Sequence, residues 1–161
     1  MRVYVPLTLV LLRAAVAAGG LSTATAFAVT PALREWYASG DTEELEFAAM
    51  TDAAEASLRL LATDPDAPRQ RVVIAADVVD GVVRLDPDQH PAALSVLEPI
   101  PVADFASVHV DDPGVAEQIR DAAASIAAAD AGDEDAAFVV SGIEDHQLQW
   151  YGVQELPALL G

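Results

Sequence analysis

The chain has 161 residues, 53% apolar and 21% charged, with 26 acidic side chains against 8 of Lys and Arg and a formal charge of −18. That length and composition belong to a single globular domain rather than a disordered segment. The charge argues against nonspecific nucleic-acid binding and against anionic membrane surfaces, and the lack of cysteine removes disulfides, thiol chemistry, thiolate zinc and iron–sulfur ligation.

The first residues have the outline of a secretory signal: Arg2, an apolar run over residues 3–12, and the small-residue pattern Ala24-Thr25-Ala26. Pro6 interrupts that run, Arg13 ends it, and Gly19-Gly20 reads as a helix stop. A retained N-terminus in a cytoplasmic protein is therefore expected. No run reaches the roughly 18 apolar residues that a membrane span needs.

Val3-Tyr4-Val5 reads as a short strand closed by Pro6. Thr8 then caps a helix with Leu11, Leu12, Ala15 and Val16 at helical spacing, and residues 25–29 form a second strand. This strand–helix–strand order has the length of a parallel crossover. Residues 30–62 follow as the richest stretch in the chain. Thr30-Pro31 starts a short helix that Ser39-Gly40 interrupts, and Asp41 with Glu44 signals the start of a long amphipathic one. Phe47, Met50, Ala54, Leu58 and Leu61 mark the expected apolar face of that helix, and Glu55 with Arg59 is a favourable i,i+4 pair.

Residues 72–79 are an apolar, β-branched run typical of a strand covered on both faces. Asp80-Gly81 between β-rich segments predicts a type I′ hairpin. Residues 93–97 and 106–110 are further strands, the second with Ser107 and His109 on one face and Ala106, Val108 and Val110 on the other. Asp112-Pro113 opens a helix with Val115, Ile119, Ala122, Ala123 and Ile126 inward, and residues 127–135 read as a loop. Residues 136–140 lean to helix, residues 146–151 to a last strand, and residues 155–160 to a closing helical turn. The expected class is α/β (α+β): a mixed sheet of about five or six strands with helices packed on it, for which a ferredoxin-like order with residues 30–62 inserted is one form.

Candidate chemistry is sparse. Serine nucleophile elbows, phosphate-binding glycine loops and paired-histidine zinc motifs are all missing. His109 and Asp111 project to the same side of a strand, where an imidazole and a carboxylate would share a cation or act as base and orienting acid. The competing reading makes Asp112 a helix cap and His109 an ordinary strand residue. Asp77 lies in an apolar run, so it either meets a partner or marks where the strand leaves the sheet; as a strand-end acid that would line a cleft it joins His109 and Asp111 as a catalytic candidate. Glu46, Asp52 and Glu55 would present carboxylates from one helix, although a solvated face accounts for them more simply. Arg34, Trp36 and Tyr37, with Trp150 near the C-terminus, combine a bidentate donor with amphipathic rings of the kind that anchor partners or line pockets. The plainer reading places both tryptophans in the core.

The segments MRVYVP, TPALREWY, EELEFAAMTDAA and VHVDD, with the late WY, resemble an uncharacterised family of short acidic cytoplasmic proteins from high-GC bacteria. The resemblance extends over nearly the whole chain and implies a compact protein with its N-terminus retained, but carries no assigned activity, ligand or catalytic residue. The expected function is a non-enzymatic cytosolic module that binds a protein partner or small ligand near Arg34, Trp36, Tyr37 and Trp150, with no cofactor, no metal, no nucleic acid and no membrane. The alternative is a small metal-dependent or acid/base hydrolase built on His109, Asp111 and one acid of the long helix. Oligomeric state is left open.

Overall fold

The computed structural model describes residues 1–22 and 25–161; Ala24 of the cleavage-site pattern lies outside them. The chain begins with β1 (Arg2–Leu7), α1 (Leu9–Ala18), β2 (Gly20–Leu21), β3 (Ala26–Phe27), α2 (Pro31–Trp36) and α3 (Thr42–Thr63). It continues with β4 (Val72–Asp77), β5 (Val83–Leu85), β6 (Ala93–Val96), β7 (Ile100–Pro101) and β8 (Phe105–Val110). The last elements are α4 (Ala116–Asp130), α5 (Glu134–Ser141), β9 (Gln149–Tyr151) and α6 (Leu156–Leu160). No helix among the described residues is long and apolar enough to cross a membrane.

The α/β class holds, with a seven-stranded sheet in the order β5-β6-β3-β1-β4-β8-β9 and a separate β2–β7 pair. Every pairing in it is antiparallel, so the sheet is not mixed and the expected parallel crossover from β1 is absent. The reason lies in β1 itself. One edge is filled by β4 over the full register from Arg2↔Asp77 to Leu7↔Val72, and the other by β3, which runs back antiparallel. Helices α2 and α3 instead carry the chain from β3 over β1 to β4, a split β-α-β connection. Pro6 does not end β1. The strand continues past it to Leu7, with Pro6 opposite Val73 of β4.

Alternation along β1 and β4 feeds two cores. Val3, Val5, Leu7, Val72 and Ile74 point to the side covered by α1 and α6, where Leu12 and Leu156 meet them. Tyr4, Val73 and Ala75 point to the side covered by α2 and α3, against Leu33, Leu45, Ala49 and Ala53. A third cluster joins Leu58 and Leu61 of α3 to Ile119, Ala122 and Ile126 of α4 and to Ile143.

Local signals account for most helix ends. Thr8, Thr30, Asp41 and Asp133 each accept a backbone N–H with a side-chain oxygen at the starts of α1, α2, α3 and α5, and Asp112 accepts that of Gly114 in the turn leading to α4. Gly19 ends α1 at φ 86°, in the left-handed region that glycine enters without penalty.

Four local expectations change, the first at residues 127–135, which are not a loop throughout: α4 runs on to Asp130 and α5 starts at Glu134. The buried stripe of α3 runs through Leu45, Ala49, Ala53 and Ser57 as well as Ala54, Leu58 and Leu61, which turns Phe47 out to 60% exposure. Leu11 of α1 is likewise exposed, with Leu9, Leu12 and Ala15 inward. Asp80-Gly81 makes no hairpin: β4 already has β1 and β8 on its two edges, so β5 departs to pair with β6 at the far side of the sheet. The turn there is 3₁₀, and Gly81 does not have a positive φ.

Candidate functional site

On β8, Ser107 and His109 alternate onto the face that α3 covers, and His109 stands opposite Val73 of β4 and Trp150 of β9. Helix α3 does not extend over this end of the sheet, and β9 is only three residues long. Between them a cleft of about 260 Å³ opens. Phe47, Met50, Ala54 and Leu58 of α3 form one wall, and Val140, Ile143 and Leu148 form the other. His109 and Arg71 line it from the sheet, with Glu55, Glu144 and His146 adding polar edges.

Arg71 precedes the first residue of β4 and is only 6% exposed. Its Nε and Nη2 each donate to a different oxygen of Asp111 at 2.8 Å, and its backbone N–H donates to Asp111 Oδ2, also at 2.8 Å. Nη2 also donates to the carbonyl of His146 at 2.7 Å, which fastens the segment leading to β9 against the sheet. This buried pair has the bidentate geometry that offsets desolvation of both charges. Nη1 has no hydrogen-bond partner among the described residues, yet it is not sealed from solvent.

His109 Nε2 lies 2.9 Å from Ser107 Oγ. Burial, and secondarily the positive charge of Arg2, hold the imidazole below its ordinary pKa, so the neutral ring is favoured. Ser107 is 6% exposed and does not line the cleft. Its only hydrogen-bond partner among the described residues is His109. Donor and acceptor roles in this contact depend on the ring tautomer; with the buried hydroxyl proton given to Nε2 as its acceptor, the neutral ring carries its proton on Nδ1. Nδ1 has no partner among the described residues and remains accessible.

The other expected site residues are scattered. Asp111 is on the same face as His109, but both its oxygens are occupied by Arg71, so it is not free to orient the imidazole or share a cation with it. Asp77 sits at the opposite end of β4, where its carboxylate receives Arg2 Nε at 2.8 Å and Nη2 at 3.3 Å. Arg2 holds the Asp77 carboxyl below its ordinary pKa. The helix acids diverge: Glu55 receives Arg59 at 2.6 Å, Asp52 approaches His90 at 3.6 Å, and Glu46 adds its field to Arg2 and Tyr4. Burial raises the Asp52 pKa, partly opposed by His90. No group of three such side chains among the described residues is placed to hold a metal ion.

Arg34, Trp36 and Tyr37 are exposed at the end of α2, with Trp36 at 72%. The start of that helix is tied to Pro91, beside β6, by the Thr30 hydroxyl. Trp150, 63% exposed, belongs to β9 at the other edge of the sheet. The two aromatic groups therefore do not meet, and neither tryptophan fills the core. Trp150 does adjoin His109. Arg71 escaped the sequence reading, although an arginine directly ahead of an apolar strand and an aspartate directly behind another are what an antiparallel pair would bring face to face.

The architecture defines an α/β protein with a ligand-sized, largely apolar cleft on the helical face of an antiparallel sheet. The chain belongs to DUF6912, a family of unknown function, which matches residues 1–160. No curated protein and no solved structure matches it.

Proposed function

We propose that the protein is a non-enzymatic binding module of the cytoplasm, and that its ligand occupies the cleft between α3, His109 and residues 143–148. The observation that carries this reading is a cleft with apolar walls and two polar groups, Arg71 and His109, each with a ring or guanidinium nitrogen that has no partner among the described residues and is open to solvent. A partner protein at Arg34, Trp36 and Tyr37 has the support of exposure alone. The hydrolase alternative draws support from the Ser107–His109 hydrogen bond. Against it, Ser107 does not line the cleft, and no carboxylate among the described residues orients Nδ1.

A fragment library titrated into ¹⁵N-labelled protein tests the reading. Amides of residues 47–58 and 140–148 are expected to respond, and Met50→Trp, which fills the cleft, is expected to abolish the response. Responses confined to α2 would overturn it in favour of the Trp36 surface. Hydrolysis of p-nitrophenyl esters that Ser107→Ala eliminates would establish the enzymatic alternative instead.

A further inference from the structure

The base of the cleft is unbalanced in a way that specifies its ligand. Arg71 Nη1 presents N–H donors whose other guanidinium nitrogens are held by Asp111 and the His146 carbonyl. His109 presents Nδ1–H in the tautomer whose Nε2 accepts the Ser107 hydroxyl. Arg71 falls opposite Asp111 and His109 opposite Val73 in the β4–β8 register, so the two donors are diagonal neighbours on one face, within about 7–8 Å backbone to backbone. Neither donor has an acceptor among the described residues. Both are open to solvent, and one oxygen with two lone pairs would accept from both.

Charge narrows the class further. Asp111 already neutralises Arg71, and the imidazole is neutral near pH 7, so a carboxylate at this point would be desolvated with no net positive charge to meet it. Glu55 and Glu144 line the same cleft and the chain carries a charge of −18, which repels anions. The N–H groups of Arg71 and His109 at the base offer no lone pair to a cationic head. We propose that the cleft binds a neutral, mainly apolar molecule through one carbonyl-type oxygen, which accepts from Arg71 Nη1–H and His109 Nδ1–H while its hydrocarbon part lies among Phe47, Met50, Leu58, Val140, Ile143 and Leu148. At about 260 Å³ the space suits a molecule of roughly ten non-hydrogen atoms, taking ~30 Å³ as the share of one water in the liquid.

This assignment rests on the cleft being the binding site, and a matched series separates the two claims. Hexanamide, hexanoate and hexylamine have the same chain and differ only in the head group. Each is titrated at pH 7.5 while the His109 ring, the Arg71 Nε–H and the Ile143 and Leu148 amides are followed by NMR. Hexanamide is expected to shift all four and to bind roughly tenfold more tightly than hexanoate, the discrimination that an unpaired buried charge imposes. His109→Phe, which retains the ring volume, is expected to lower hexanamide affinity several-fold with the cleft amides otherwise unmoved. Tighter binding of hexanoate or hexylamine in the cleft would overturn the neutral-acceptor class and leave the cleft standing as a site. Undiminished hexanamide binding to His109→Phe would also overturn it. If none of the three probes moves a cleft signal, the class and the cleft reading fall together.

Discussion

Arg71 and Asp111 close the end of the β4–β8 ladder with three hydrogen bonds of 2.8 Å to one carboxylate, and both side chains are almost wholly buried. Removing one partner leaves the other charged and without compensation, so Asp111→Ala is expected to cost about 3–5 kcal/mol in urea unfolding. Replacing both, as Arg71→Met with Asp111→Leu, is expected to recover most of that loss. A single-variant cost under about 1 kcal/mol, the scale of an exposed pair, would contradict the buried geometry.

Ser57 links three elements. From α3 its hydroxyl donates to Leu7 O at 2.7 Å and accepts from Val72 N–H at 3.0 Å, where β1 ends and β4 begins. Ser57→Ala strands both backbone groups in a buried site and is expected to destabilise by about 1–3 kcal/mol. Thermal and urea unfolding check this, and an unchanged midpoint would count against the bridge.

His109 makes stability depend on pH with a definite sign. Its folded-state pKa lies below the ordinary 6.5, from burial first and Arg2 second. The unfolded chain therefore binds more protons in the window below 6.5, and stability falls as pH drops through it. Arg2, Arg71, Glu55, Glu144 and His146 also face this region from β1, the start of β4, α3 and the segment before β9, so the His109 share is read by difference. Between pH 7.5 and 5.5 the wild type is expected to lose more stability than His109→Gln; equal losses would contradict the assignment.

The end of α2 offers a contrast between neighbours. Leu33 is 1% exposed and Trp36 is 72% exposed. Leu33→Ala is expected to cost about 2–5 kcal/mol, whereas Trp36→Ala is expected to stay within about 0.5 kcal/mol. Comparable losses in urea unfolding would mean that Trp36 is packed after all.

What could be read from the sequence follows the range of the interactions concerned. The caps at Thr8, Thr30, Asp41 and Asp112, the β4 strand and the alternation of Ser107 and His109 on β8 are local, set within a few residues. The α3 face was harder because alanines occupy much of the helix and give little apolar contrast; Leu45, Ala49 and Ala53 go inward while Phe47 turns out to the cleft. Asp80-Gly81 has hairpin chemistry, but both edges of β4 were already filled by strands far away in sequence. The fate of Asp111 was likewise decided by a partner 40 positions distant. Only the register of β4 against β8 reveals that His109 has lost that acid and gained Arg71 as a fellow donor.

Two donors meet one acceptor position at the base of the cleft only when His109 carries its ring proton on Nδ1. Long-range ¹H–¹⁵N correlation of the histidine rings at pH 7.5 reads this directly. The neutral Nδ1–H form, with Nε2 as the acceptor for Ser107, is the predicted result. A ring protonated on Nε2 with a bare Nδ1 would place an acceptor at the base of the cleft and contradict the account.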